Sequence, residues 1–251
     1  MECSEYYKLD RLEDRMWWFA ASHRNLLTLS WRQMSLEAGE QPILDAGCGT
    51  GGFLAQLAAR YPNRALLGLD ANPLACRRAA AKSGQAVCVG SINELPFPED
   101  TFAVVFSVDV LCHSAVDERD AVQQFYRCLA DNGLLVINVP AYSWMLSAHD
   151  AAVHNVRRYT AKGLTRLLEA AGFHMVYATY WNALLFPLMV ITRKLLPERG
   201  RTSDVKEYAG PIDSLCRVAT TFETTLLRNG VRLPFGGSVI AIATKGGSDR
   251  S

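Results

Sequence analysis

The sequence predicts an α/β fold: a mostly parallel seven-stranded sheet with helices on both faces. Three observations predict it. Short apolar runs alternate with helical patterns from Gln41 onward, which implies βαβ units. A glycine-rich turn, ILDAGCGTGG, follows the first apolar run where a strand hands over to a helix. Asp70 then closes the next strand, 21 residues after Gly49.

Residues 4–37 read as helical, with Trp17, Arg24 and Trp31 spaced two turns apart on one face. QPILDAG is the first strand and GGFLAQLAARY the helix behind it. RALLGLD, QAVCVG, TFAVVFSV and GLLVINVP supply four more strands, separated by NPLACRRAAAKSG and DERDAVQQFYRCLA as helices. TAKGLTRLLEAAGF is a further helix stopped by Gly172, FHMVYATYW a sixth strand, and SVIAIATK the last. Residues 183–232 break the alternation: two helical segments flank the polar loop LPERGRTSDVKEYAGP, as an insertion over the sheet edge or the site. The expected organisation is one domain over 1–251. It has an N-terminal helical segment at 1–37, a core at 41–182, a helical insertion at 183–232 and a last strand at 236–245, with GGSDRS as a loose tail.

Composition narrows the function classes. Lys and Arg number 26 against 25 Asp and Glu, without a basic stripe, so the phosphate-neutralising footprint of a nucleic-acid binder is missing. The seven cysteines are scattered without a CxxC pair, which reads as reduced thiols of a cytoplasmic protein and as neither a disulfide frame nor a metal site. The charged N-terminus lacks a signal-peptide core, and Arg193 and Lys194 cut the run NALLFPLMVITRKLL short of membrane-spanning length. That run reads as a buried or capping helix, with an interfacial membrane helix as the alternative.

Gly47, Gly49 and Gly51 let backbone approach a ligand at a helix N-terminus, and a carboxylate at Asp70 can accept from both hydroxyls of a ribose. A dinucleotide fold favours G-x-G-x-x-G, whereas this chain has G-x-G-x-G preceded by Asp45. The pattern hxDxGxGxG resembles motif I of class I S-adenosylmethionine-dependent methyltransferases, and SINELPFPEDTFAVVFSVDVLCH and YRCLADNGLLVINVP resemble that family's later strands. The resemblance implies a Rossmann-like sheet and S-adenosyl-L-methionine as cofactor. It places the loop of Asp45, Gly47, Gly49 and Gly51 at the amino-acid end of the cofactor and Asp70 on its ribose. Ser91 and Ile92 fall beside the adenine, and Ser107 near the methionine moiety. Two positions depart from the family: Ser91 stands where many relatives carry Asp, and Phe102-Ala103 replaces the common Phe-Asp.

MWWFAASHRNL, SAHDAAVHNVRRYT, WNALLFP and LPFGGSVIAIATK together resemble a bacterial methyltransferase subgroup associated with polysaccharide or secondary-metabolite pathways. Indole faces in the WW segment could close as a lid over a sulfonium, with Arg24 beside Trp17 pairing the cofactor carboxylate; the bland reading is an aromatic cluster packing an amphipathic helix. His149, Asp150 and Tyr142 are the candidate catalytic groups, since a His-Asp pair past the fifth strand could deprotonate an acceptor. His113, Asn138, His154, Tyr159, Tyr177 and Asn182 are candidate pocket groups, and no metal-ligand set is visible. The leading expectation is a small-molecule methyltransferase of secondary metabolism, with oligomeric state undetermined by sequence. One rival is an enzyme on the same fold that uses the cofactor as sole substrate, cyclising it to azetidine-2-carboxylate and methylthioadenosine. The other is a non-catalytic cofactor-binding subunit.

Overall fold

A computed structural model of the protein describes residues 3–36, 41–195 and 210–247. The strands are β1 (Ile43–Ala46), β2 (Leu66–Asp70), β3 (Ala86–Val89), β4 (Phe102–Val108), β5 (Leu129–Pro140), β6 (Phe173–Trp181) and β7 (Ser238–Lys245), in the spatial order β3-β2-β1-β4-β5-β7-β6. β7 runs antiparallel to both its neighbours, and β3 through β5 are parallel. The central strands are apolar at nearly every position because helices cover both faces. Alternate residues serve opposite sides: Leu44, Val105 and Leu135 enter one core, and Ile43, Val104 and Val136 the other.

Helices flanking the sheet begin and end on identifiable signals. For α4 (Pro73–Ser83), Asn72 accepts from the amides of Leu74 at 2.8 Å and Ala75 at 3.3 Å, Pro73 opens the first turn, and Gly84 stops the helix at φ 68. Asp117 caps α5 (Glu118–Cys128) and Thr160 caps α7 (Ala161–Ala170) in the same way. α3 (Gly52–Arg60) leaves the glycine turn directly.

The N-terminal region is two helices where periodicity predicts one: α1 (Cys3–Leu12) and α2 (Trp17–Leu36). The break falls where Glu13 turns inward, accepting from Thr50 Oγ1 at 2.7 Å and Lys82 Nζ at 2.5 Å. Lys82 also pairs with Asp10 and Asp14, and Arg78 with Asp10, so α1 is pinned across α4 above the glycine turn. α2 lies along α9 (Gly210–Arg228), where Thr224 donates to Asn25 at 2.6 Å. The first half of the insertion is α8 (Phe186–Val190), which widens into a π-helical turn over Ile191–Leu195. Positions 196–209 of the polar loop, and 248–251 of the tail, lie outside the described residues. Among the described residues no helix is long and apolar enough to cross a membrane, no group of three His, Cys, Asp or Glu could hold a metal ion, and six cysteines are free thiols.

Candidate functional site

A cavity of about 1250 Å³ opens at the carboxyl ends of β1, β2 and β4, roofed by α1 and α2 and walled by α8 and α9. Ligands of open α/β sheets bind at this edge, where the strand order reverses. The glycine turn forms one end. Gly47 sits at φ +87, and a Cβ there would lie 2.3 Å from Val110; Gly51 sits at φ +91 with a Cβ position 2.5 Å from the Ala79 backbone. Gly49, at φ +54, meets only Leu9 at 3.6 Å, so its space is open toward the cavity. Gly51→Ala is therefore expected to lose about 2–3 kcal/mol of stability in urea titration, combining left-handed strain with overpacking, and Gly49→Ala only about 1 kcal/mol. Equal losses would show that close packing at Gly51 is unimportant.

Asp70 accepts from the Gly49 amide at 3.0 Å, the Asn72 amide at 2.8 Å and the Tyr6 hydroxyl at 3.4 Å. Burial raises its pKa and these donors oppose the rise. Asp45, on β1, is 1% exposed, and its Oδ2 has no hydrogen-bond partner. Burial, followed by the charges of Asp70 and Glu13, pushes Asp45 up to about 8. An unsatisfied carboxylate of this kind is suited to an incoming cation. Ser91 and Ile92 line the same end, and Trp17 lies against it from α2.

Two loops make the other end. Ser114 donates to the His154 carbonyl at 2.9 Å and Cys112 to Asn155 at 3.2 Å, which zips the turn after β4 to residues 153–156. His113, His149, His154 and Asn182 line the cavity. Burial pulls His113 down to about 4, so its ring is neutral at pH 7. Asp109, His154 and Asn182 all hold left-handed backbones at φ 56 to 61, a strain that clusters at functional sites.

Several sequence-predicted groups lie outside the cavity. Asp150 is locked by Arg158, with Nε to Oδ1 at 2.9 Å and Nη2 to Oδ2 at 3.0 Å, and also accepts from the Ser147 amide in the cap of α6 (Ala148–Ala152). Its lone pairs are spent on structure. Tyr142 stacks on Tyr180 at 5.2 Å and Trp144 at 5.8 Å. Tyr159 donates to Glu118 at 2.6 Å, and Tyr177 to the Val231 carbonyl at 3.1 Å. Arg24 turns to α9 and donates to Thr224 at 3.3 Å, outside the cavity lining; Trp31 is 47% exposed beneath Arg60. Gly51 packs on α4, while Ser107 and Asn138 lie buried in the floor beneath the cavity.

Residues 44–137 match the family described as Methyltransferase domain. Residues 44–137 thus carry a methyltransferase domain, and the sheet has the fold of S-adenosylmethionine-dependent methyltransferases. The chain is 29% identical over 187 residues to a cycloartenol-C-24-methyltransferase of Arabidopsis thaliana, an alignment covering 64% of this chain and 53% of that protein. The chain spans about half the length, or less, of the curated relatives it matches first. Among solved structures, an S-adenosylmethionine-dependent methyltransferase of Thermotoga maritima has a TM-score of 0.55 at 19% identity, covering 96% of this chain and 99% of that one. The [4+2]-cyclase SpnF gives a TM-score of 0.60 at 18% identity over 94% and 85%. These structural likenesses establish a shared fold.

The sequence pattern did not single out Tyr6, Glu13, His23, Asp109 and Glu223. His23 lines the cavity, is held by Gln56 at 3.0 Å, and is pulled by burial down to about 4. Asp109 lines the cavity while both its oxygens accept from Asn138 Nδ2 at 3.1 Å. Asn138 in turn accepts from Trp181 at 2.7 Å, and Trp181 packs on Trp18 with ring centres 5.6 Å apart, linking α2 to the floor. Burial pushes Asp109 up to about 7, with Asn138 and Arg158 opposing. Glu223 accepts from three successive amides, Asn182 to Leu184, and fixes the entry to the insertion. A carboxylate directly after β4 was the one available sequence signal, since SVDV places Asp109 at the ligand edge of the sheet.

Proposed function

We propose that the protein transfers a methyl group from S-adenosyl-L-methionine to a small-molecule acceptor with a largely apolar body. One observation carries this reading: the cavity runs past the glycine turn into a chamber walled by Leu185, Leu188, Met189, Ile212 and Cys216. Its volume exceeds the roughly 300–1,000 Å³ usual for a single small ligand, leaving room for two. The residues fit the cofactor. Asp45 offers an unpartnered carboxylate oxygen to an ammonium, Asp70 presents a carboxylate to ribose hydroxyls, and the glycines keep that end open. When bound, the cofactor supplies an electrophilic methyl on a cationic sulfur.

Trp17, Trp18 and Phe19 line the roof, where their ring faces suit a cation and exclude water. Orientation of two reactants in one enclosed chamber is the main contribution of such a site. Asp109 and His149 are the groups on the wall placed to take a proton from an acceptor. Cyclisation of the cofactor would call for aromatic side chains filling the chamber. Aromatic rings line the roof, but Tyr142, with Trp144 and Tyr180 stacked on it, lies outside, and the far chamber is walled by Leu185, Leu188, Met189 and Ile212, which favours a second substrate. The narrower readings, an acceptor from bacterial secondary metabolism and a cytoplasmic location, rest on the sequence resemblance and composition.

Mass spectrometry after incubation with cofactor, with and without a panel of apolar alcohols, acids and amines, tests the reaction. S-adenosylhomocysteine is expected only when an acceptor is present; methylthioadenosine released from cofactor alone would replace this reading with the cyclase. Asp70→Ala is expected to weaken cofactor binding at least about tenfold by calorimetry, since hydrogen bonds to a charged group contribute roughly 1.5–3 kcal/mol. Unchanged affinity in a folded variant would move the cofactor elsewhere.

A further inference from the structure

We propose that the mouth of the cavity docks on an anionic lipid surface. The contact is an apolar rim built by α8, the turn after it, and the segments before α6 and β7. Six large apolar side chains there, Trp144, Leu146, Leu184, Leu188, Ile191 and Phe235, are each 37–56% exposed. Single exposed apolar residues are ordinary, whereas a contiguous group marks a protein or membrane contact. Three contacts make this group contiguous. The buried Phe186 ring has its centre 6.0 Å from that of Trp144 and 6.1 Å from that of Phe235. Lys194 Nζ, from the turn after α8, donates to the Leu146 carbonyl at 3.2 Å.

The rim belongs to the cavity. Leu188 lines the chamber although 56% exposed, and Ser147 lines it immediately after Leu146. On α9, Ile212 also lines the chamber at 51% exposure, and Leu215, its neighbour three residues on, is 66% exposed. The apolar wall therefore continues onto the surface from two helices.

Charge selects the occupant. The stretches that build the rim, 142–149, 183–194 and 231–237, contain basic residues and no Asp or Glu. Lys194 and Arg232 among them are exposed. Lysine is depleted at protein–protein interfaces, because its strongly hydrated ammonium would lose water there. Beside an anionic bilayer the same group keeps its water and strengthens binding, roughly fivefold per cation. Tryptophan and leucine around a lysine are the composition of an interfacial segment: the apolar groups enter the headgroup boundary while the ammonium stays at the phosphates. α8 spans five residues, against the roughly 20 needed to cross a bilayer, so the contact is peripheral. Docking does not depend on the methyl-transfer reading. Where both hold, an acceptor with an apolar body passes from lipid into the chamber without exposing that body to water.

Co-sedimentation of the full chain with vesicles reads docking without turnover. One set is phosphatidylcholine alone, and the other carries about one third phosphatidylglycerol. Binding to the anionic set is expected to be roughly tenfold tighter or more, and to weaken as salt rises. Trp144→Ser with Leu184→Ser should cost roughly tenfold on the anionic set, Lys194→Gln roughly fivefold, and Lys194→Arg nothing. Thermal scans of each variant show whether it is folded, and Leu184→Ser alone, at a half-exposed position, serves if the double variant is unstable. No binding to either set, equal binding to both, or undiminished binding by the folded serine variants overturns the inference. Self-association in sedimentation velocity that Leu184→Ser abolishes also overturns it, since a second copy then covers the face. None of these outcomes touches S-adenosylhomocysteine formation from soluble acceptors, on which the methyl-transfer reading stands.

Discussion

Asp150→Ala is expected to lower stability by about 3–5 kcal/mol, the usual consequence of stranding one partner of a buried ion pair. Asp150 and Arg158 side chains are 2% and 3% exposed, and their contact is bidentate, so removing the carboxylate leaves a guanidinium without its counter-charge in a mostly dry wall. For a chain of this size that loss corresponds to a midpoint roughly 10 °C lower in a thermal scan. The double substitution Asp150→Ala with Arg158→Met should recover most of it, because an apolar pair of similar bulk needs no charge balance. Asp150→Asn separates this account from a catalytic one. A general base would lose turnover with stability intact, whereas the structural role predicts a loss of stability from Asp150→Asn as well, and unchanged denaturation would return Asp150 to the catalytic candidates.

The pairing also explains why the two halves of the site differ in how readable they are. The cofactor half is contiguous: Asp45 to Gly51 lie in one turn whose conformation demands glycine, and Asp70 follows at a spacing set by one helix and one strand. Strands were legible for a related reason, since alternate residues of β1, β4 and β5 had to serve two cores. The acceptor half depends on partners that local pattern does not reveal. Tyr159 looked like a pocket residue until Glu118, 41 positions away, took its hydroxyl. Glu13 looked like one more residue of a long helix, yet Thr50 and Lys82, 37 and 69 positions away, draw it inward and end α1. Arg24 shares a helical face with Trp17, but that face is divided between the cavity and α9, and its acceptor Thr224 is 200 positions distant. Side-chain roles set by such distant contacts follow from packing rather than from period.

Asp45 is expected to contribute less to the stability of the ligand-free protein as pH rises from about 4 to about 8. Its folded pKa, raised to about 8, lies far above that of an unfolded carboxyl near 3.8. Between those values the folded state holds a proton that the unfolded state has released, so unfolding releases protons and is favoured by higher pH. The slope reaches up to about 1.4 kcal/mol per pH unit and vanishes above the folded value. Asp45→Asn mimics the protonated form and should flatten the profile, giving a variant more stable than the parent at pH 7.5. Other buried carboxyls with raised values, Asp109, Glu13, Asp70 and Glu223, contribute slopes of the same sign, and His23 and His113, lowered to about 4, contribute the opposite sign below about pH 6.5, so the decisive quantity is the difference between parent and variant. Parallel denaturation midpoints for the two across pH 5–8 would remove Asp45 as the source. The same linkage bears on function: an ammonium placed beside Asp45 Oδ2 favours the ionised carboxylate, so cofactor affinity should rise between pH 6 and 8 in the parent and not in Asp45→Asn. Cofactor binding then discharges the electrostatic cost that the empty site carries at neutral pH, and the least comfortable carboxylate of the free fold becomes the one that ligand binding stabilises most.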